Sequence, residues 1–285
     1  MTREQKNMSR EYQNSTQIFR QQGQLLWELR NWFNTNGYSE VYTPAIVNSP
    51  AMEEHLEAIS IEGKWLHTSP EFAMKKMLAQ GLCRIYQISS CYRKEEVGRH
   101  HSLEFRMLEW YRVGASMYDL MDETVDLISY LNATLSKPTP CFERIATAEL
   151  LDPDLSPEEW FFQWVDQIEP NLPPACIVYD YPGWQSALAR KRGAVASRFE
   201  VYYKGIELAN AFDEEPSSDE ILQRWEHNNQ QRKKAQRSPY TIDHDFLKAL
   251  EKMPRCSGIA MGLDRLLMGL LDLERIQTIQ TGEWE

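Results

Sequence analysis

A chain of 285 residues, 42% of them hydrophobic, can bury one large core and leaves little room for a second full domain. No stretch approaches the roughly 20 apolar residues of a membrane span, and the start MTREQKNMSREYQNSTQ lacks the apolar core of a secretory signal, so a cytoplasmic protein is expected. The net charge of −11 sets the molecule against polyanions unless a local basic patch exists, and five scattered cysteines without a C-x-x-C pair argue against a disulfide framework or a zinc knuckle.

Ile18, Gln22, Leu25, Leu26, Leu29, Trp32 and Phe33 share one helical face and Gly37 follows as a stop, which predicts a long amphipathic helix at the start. The run YSEVYTPAIV alternates as a strand, with Pro44 tolerable only at an edge, a bulge or a strand end. Such an edge invites a partner chain. After Ser69 and Pro70 the segment EFAMKKML has helical spacing, and proline suits a first turn because its missing N–H is not needed there. Two β-rich runs, CRIYQISSCYRKEE and HSLEFRMLEWYRVG, flank a polar loop over 94–101 and predict a long antiparallel hairpin. Met117, Leu120, Met121, Thr124, Leu127, Ile128 and Leu131 mark another amphipathic helix.

Residues 137–175 hold seven prolines among acidic and aromatic residues, which predicts a surface insertion of loops with a short helix over 158–168. Between Ile145 and Ala189 there is no Lys or Arg, a poor surface for nucleic acid. Strand character returns in FEVYYKGIELANAF, and Ser217 with Glu220 signs the start of a helix running towards Lys234. Its basic run, Arg232, Lys233, Lys234 and Arg237, reads first as a solvated face. The chain closes with a strand, SGIAMG, entering an apolar helix, LDRLLMGLLDL. Hairpin-linked strands with helices outside them predict an α+β fold, an antiparallel β-sheet flanked by helices, in one domain over 1–285.

Three constellations carry chemistry. In GIAMGLDR, glycines 258 and 262 precede Asp264 and Arg265 where strand gives way to helix; small residues there admit a flat ligand, and a guanidinium can stack on a base or grip a phosphate. A Gly-containing strand-to-helix turn is also common as plain structure. In YRKEE and EFRMLEWYR, Arg93 stands at a strand end with Glu95 and Glu96 after it. Glu109 and Tyr111 share a face of the returning strand. In KGIELANAFDEE, Glu207 sits among Ile206, Leu208 and Ala209, where a carboxylate needs a cation, either a side chain or a magnesium ion shared with substrate phosphates. His100 and His101 are adjacent, point to opposite sides of a strand and have no third ligand nearby in sequence, a weak case for a metal.

TSPEF, YRKEE, EFRMLEWYR, ELANAFDEE and GIAMGLDRLLMGL, in that order, resemble the class II lysyl-tRNA synthetase core, and within it the stand-alone paralogues that aminoacylate elongation factor P. The resemblance spans about residues 15–275 and implies the class II aminoacyl-tRNA synthetase catalytic-core fold, with ATP and Mg2+ as cofactors and a homodimer built on the segment holding Pro44. It implies that Ser69, Pro70, Glu71, Tyr111 and Glu214 bind the amino acid. It further implies that Arg93, Lys94, Glu95, Ser102, Glu207, Leu208, Gly262 and Arg265 meet ATP, with magnesium at Glu207 and Glu214. Lys94 and Ser102 stand where asparagine is usual, Ala211 where glycine is usual, and the tail after the third motif departs from the family ending.

The expected reaction is in-line attack of the amino acid carboxylate on the α-phosphorus of ATP, with Arg93 and Arg265 offsetting charge and no general base needed. Glu71, Glu109 and Glu214, with Tyr111, offer an anionic lining for two ammonium groups, as in lysine or β-lysine. Ala260, glycine in lysyl-tRNA synthetases, implies a preference for (R)-β-lysine. Only about 15 residues precede the first predicted helix, too few for the β-barrel that reads an anticodon. The expected acceptor is therefore a lysine of elongation factor P, with no tRNA charged and no membrane involved. A minimal lysyl-tRNA synthetase and a non-catalytic regulatory paralogue are the competing readings.

Overall fold

The computed structural model describes residues 3–52, 56–94 and 97–280, with side chains from residue 15 onward. Helix α1 (Arg3–Thr35) buries Leu25, Leu29, Trp32 and Phe33, and Gly37 ends it with a positive φ of 75°, which glycine adopts without strain. The stretch read as one strand is broken instead: β1 (Ser39–Glu40) and β2 (Ile46–Val47) flank Pro44, which can donate to neither ladder. β2 joins a small sheet with β3 (Ser60–Ile61) and β4 (Lys64–Leu66). Helix α2 (Glu71–Leu78) follows, with Pro70 as its N-cap, one position earlier than its predicted place in the first turn.

The predicted hairpin is β5 (Arg84–Tyr92) against β6 (Glu104–Val113), antiparallel along its whole length. Helix α3 (Met117–Thr134) starts at a reciprocal Ser116–Asp119 capping box and presents its predicted apolar stripe to the sheet. Residues 137–175 are more than a surface insertion. β7 (Glu143–Ala146) joins the main sheet, α4 (Thr147–Leu150) and α5 (Pro157–Gln163) follow, and Trp160 and Trp164 stack at 4.9 Å within a separate core with Val178, Tyr181 and Tyr202. Aromatic area, noted in sequence but outweighed there by the seven prolines, holds this segment down.

β8 (Ala175–Pro182), masked in sequence by its flanking prolines, pairs with β10 (Val195–Tyr203), which also carries the short β9 (Lys191–Arg192). The run read as one strand through 212 is a hairpin: Lys204 and Gly205 both adopt positive φ, the two-residue turn that matches strand twist, and β11 (Ile206–Asp213) returns. Helix α6 (Ser218–Lys234) is capped by Ser217, α7 (His244–Leu250) by Asp243, and β12 (Cys256–Gly262) runs into α8 (Leu263–Leu271).

The main sheet runs β1-β5-β6-β12-β11-β10-β8-β7. It is antiparallel through its middle as expected, but β1 with β5 and β7 with β8 pair in parallel at the two edges, so the sheet is mixed. Leu108, Trp110, Leu208, Ala211, Ile259 and Met261 pack one face against α1, α3 and α8. On the other face, α2, α6 and α7 form a second core at one end and the Trp160 cluster forms the third at the other. Between these two walls the sheet face is open. All five cysteines are free thiols, and among the described residues no helix is long and apolar enough to cross a membrane.

Candidate active site

A cavity of about 300 Å³ occupies that open face, and its two ends differ in chemistry. At the end nearest α2, Ser69 donates its hydroxyl to Glu109 Oε2 at 2.7 Å, and Tyr111 donates to Glu109 Oε1 at 2.5 Å. The period-two alternation of β6 puts Glu109 and Tyr111 on the cavity face, as their spacing predicted. From the first and second turns of α2 come Glu71 and Lys75, whose ammonium lies 2.6 Å from Glu71 Oε1 and 2.5 Å from Glu214 Oε2. Lys75 is only 2% exposed. Glu214 Oε1 is buried without a protein partner.

Burial pushes the Glu109 carboxyl up to about 7 and the Glu71 charge adds to this, while hydrogen bonds from Tyr111 and Ser69 and the charge of Lys75 oppose it. Burial pushes Glu214 up to about 8; Lys75 pulls it down, and Glu71 and Glu109 push it back up. For Lys75, burial works against the charged form, but Glu214 and Glu71 outweigh it and hold the ammonium above the ordinary lysine value. This end is thus a closed cluster of three carboxylates and one cation, with one carboxylate oxygen buried and without a hydrogen-bond partner among the described residues.

Gly258 and Ala260 of β12 floor this end. A Cβ at Gly258 would lie 2.2 Å from Tyr111 Cε1 and 2.8 Å from Glu214 Oε1. Gly258 therefore makes room for the Tyr111 ring and not, as the sequence suggested, for a flat ligand. Gly262 does border the cavity, and a Cβ there would only reach ordinary contact with Arg265 Cδ at 3.4 Å.

At the other end Arg93 lies over the Phe105 ring at 5.1 Å, beside Ser102, whose hydroxyl is buried without a partner. Arg265 is fixed by three acceptors: the His100 carbonyl at 3.2 Å, the Glu207 carbonyl at 2.9 Å and His101 Nε2 at 2.6 Å. The histidines thus hold Arg265 in place. Glu207 is 39% open to the cavity, yet burial is still the first cause that lifts its carboxyl to about 7, followed by the Glu200 charge, with Arg265 opposing. Depth within the cavity reconciles the two observations, because a side chain can face an enclosed space and still be poorly hydrated.

Glu207 reaches this face through a bulge. Val201 pairs with Ala209 but Tyr202 with Glu207, so Leu208 is an extra residue in β11. Ile206 and Ala211 consequently pack in the core, Glu207, Asn210, Phe212 and Glu214 line the cavity, and Leu208 and Ala209 at the bulge border both.

The structure gathers Ser69, Glu71, Arg93, Ser102, Glu109, Tyr111, Glu207, Leu208, Glu214, Ala260, Gly262 and Arg265 around one space. Pro70 caps α2 outside the lining, and Lys94 is exposed and also outside it, its N–H bound to the Glu57 carbonyl. Glu95 and Glu96 lie outside the described residues. The pairing of Glu207 with Glu214 around one magnesium ion fails: seven residues of strand separate them by roughly 20 Å, and Glu214 is held by Lys75. The carboxylate that does neighbour Glu207 is Glu200 on β10, held by Tyr181 and Tyr202 at 2.6 and 2.7 Å and by Arg198. Among the described residues no group of three or more side chains suits a metal ion. Magnesium beside nucleotide phosphates needs only one or two carboxylates, so Glu207 with Glu200 adjacent fits it.

Lys75 and Glu200 were missed in sequence. Lys75 is one of two adjacent lysines on a helix, usually a solvated pattern, and only the i,i+4 spacing to Glu71 hinted otherwise. The basic run also needs correction: Arg232 is buried, lies over the Tyr240 ring at 3.8 Å and pairs with Glu57 at 2.9 Å.

Residues 2–281 match the family described as tRNA synthetases class II (D, K and N). The chain is 38% identical to the elongation factor P–(R)-β-lysine ligase of Vibrio vulnificus, with 93% of this chain and 95% of that protein covered. It is 36% identical to the protein of the same name from Haemophilus influenzae (90% and 91% covered), and 34% identical to the elongation factor P–(R)-β-lysine ligase homolog of Aquifex aeolicus (87% and 94%).

Proposed function

The chain belongs to the class II tRNA synthetases of the D, K and N type, and on that premise we propose that it activates (R)-β-lysine with ATP and transfers it to a lysine side chain of elongation factor P. It is a ligase. The observation that carries the reading is the polarity of one cavity: three carboxylates with a single internal cation at one end, and the guanidiniums of Arg93 and Arg265 at the other. A diamino acid fits the first end and a triphosphate the second. A neutral amino acid would leave Glu214 Oε1 buried without a partner.

The amino acid carboxylate, already ionised, attacks the α-phosphorus of ATP, and the bond to pyrophosphate breaks. Arg265 is immobilised by its three acceptors before substrate arrives, and such preorganised charge costs no rearrangement when negative charge develops. Arg93 and the Phe105 face border the nucleotide base and phosphate region. Glu207, with Glu200 beside it, would hold magnesium, which would shield the phosphate oxygens. The acceptor lysine, as a neutral amine, then attacks the mixed anhydride; an amide forms, AMP leaves, and the amine proton passes to solvent. The Ala260 methyl at the floor of the amino-acid end supports the preference for the β-amino acid.

The whole chain works as one catalytic unit in the cytoplasm. It acts as a homodimer through the segment around Pro44, where Tyr42 is 82% exposed and Ile46 also faces outward. It leaves tRNA uncharged, for which the tract of 45 residues without Lys or Arg gives support. ATP–pyrophosphate exchange with (R)-β-lysine, α-lysine and norleucine, followed by incubation with elongation factor P or total tRNA, tests the proposal. Exchange with the diamino acids and a mass increase on one lysine of the factor are expected. Label on tRNA with none on the factor would refute it in favour of a minimal lysyl-tRNA synthetase.

A further inference from the structure

We infer that Lys75 sets the charge of the amino-acid subsite: it neutralises one of three carboxylates and orients two of them, leaving two negative charges to match the two ammonium groups of a diamino acid. The inference rests on the function proposed above and adds a specificity role for a residue so far treated only as structure.

The geometry is specific. Lys75 Nζ bridges Glu71 Oε1 at 2.6 Å on its own helix and Glu214 Oε2 at 2.5 Å at the end of β11. Each carboxylate is thereby held by one oxygen, and in Glu214 the other oxygen is buried and partnerless at the cavity wall. The ammonium also lies 5.8 Å from the Tyr111 ring centroid. The groups that face Lys75 are Glu71 from α2, Glu109 and Tyr111 from β6, Glu214 after β11 and the Cys256 thiol of β12. Helix α2 places a buried cation among them that a packing role alone would not require, since an apolar residue of the same length fills the space at lower desolvation cost. Without that cation, three carboxylates in one enclosed space repel one another more strongly and hold their protons more tightly still, so two incoming ammonium groups would find it harder to displace them.

The test compares Lys75→Met, Lys75→Arg and the double variant Lys75→Met/Glu71→Gln with wild type, using pyrophosphate exchange with (R)-β-lysine across pH and thermal melting as the check on folding. Wild-type exchange is the control: if it fails, the proposed function fails and not this inference. Lys75→Met should raise KM about tenfold or more with a smaller change in kcat. It should also move the acid limb of kcat/KM to higher pH, because Lys75 favours the ionised forms of Glu109 and Glu214. Lys75→Arg should keep the wild-type limb. The double variant restores the count of two negative charges and should bind (R)-β-lysine more tightly than the single one. A structural role predicts the reverse, a double variant weaker than Lys75→Met with an unshifted limb, and that result overturns the inference. Should Lys75→Met not fold, a double variant with the acid limb of kcat/KM at its wild-type position supports charge counting, and a limb moved to higher pH overturns it.

Discussion

Gly258→Ala adds one methyl group at the point where β12 passes beneath the Tyr111 ring. The new Cβ would stand 2.2 and 2.4 Å from two ring carbons, and ordinary contact begins at 3.4 Å, so the ring must retreat by about 1.2 Å. It has nowhere to go: Tyr111 is 2% exposed, and its hydroxyl is bound to Glu109 at 2.5 Å. Overpacking of this kind costs about 1–3 kcal/mol, and losing a hydrogen bond to a charged group adds about 1.5–3. A destabilisation near 3 kcal/mol lowers Tm by about 6 °C in a chain of this size. Because the displaced groups are Tyr111 and Glu214, the KM for (R)-β-lysine should rise more than the KM for ATP. Calorimetry and pyrophosphate exchange measure both. Tyr111→Ala removes the two closest contacts and leaves only the one with Glu214 Oε1 at 2.8 Å, so in that background Gly258→Ala should cost clearly less, a coupling visible in a double-mutant cycle. A single variant with wild-type Tm and KM, or equal costs in both backgrounds, would refute the steric argument.

Further outcomes are expected. Ala260→Gly opens the pocket floor and should shift preference towards α-lysine by about 1–3 kcal/mol, read as the ratio of kcat/KM for the two substrates; an unchanged ratio removes Ala260 from the specificity set. Glu207→Gln should raise the magnesium concentration needed for half-maximal exchange, whereas Glu214→Gln should raise the KM for the amino acid and leave the magnesium requirement alone. Binding of (R)-β-lysine should release protons near pH 7, since two incoming ammonium groups favour the ionised forms of Glu109 and Glu214, which rest at about 7 and 8 in the empty site. The same groups bind more protons folded than unfolded between about pH 4.5 and 8, so the unliganded protein should lose stability as pH rises through that window. Calorimetry in buffers of different ionisation enthalpy would expose the proton release, and its absence would contradict the raised values.

The elements legible in sequence are those whose signal is local. α1 and α3 carry complete apolar stripes, β5 and β6 are β-rich runs that pair without interruption, and the glycines at the end of β12 announce a change of element. β8 was hidden because its central ACIVYDY is short and hemmed by prolines, and what stabilises it is pairing with β10, distant in sequence. The site was legible where one strand supplied neighbouring groups, as with Glu109 and Tyr111. It was illegible where pairing between elements decided the outcome: Lys75 finds Glu214 across the fold, 139 positions away by their numbers, and Glu200 meets Glu207 only because Lys204 and Gly205 turn the chain back.

The extra residue at Leu208 also makes β11 a strand whose reading frame changes midway. Before it Glu207 looks into the cavity; after it Asn210, Phe212 and Glu214 do. Glu207 and Glu214, seven positions apart, would point in opposite directions on an unbroken strand. Deleting one residue at this joint would straighten the ladder while turning either the phosphate end or the amino-acid end of the cavity into the core. The two halves of the reaction are therefore locked to each other by a single uncounted residue. β11 tolerates no change in its count by one residue without losing one of them.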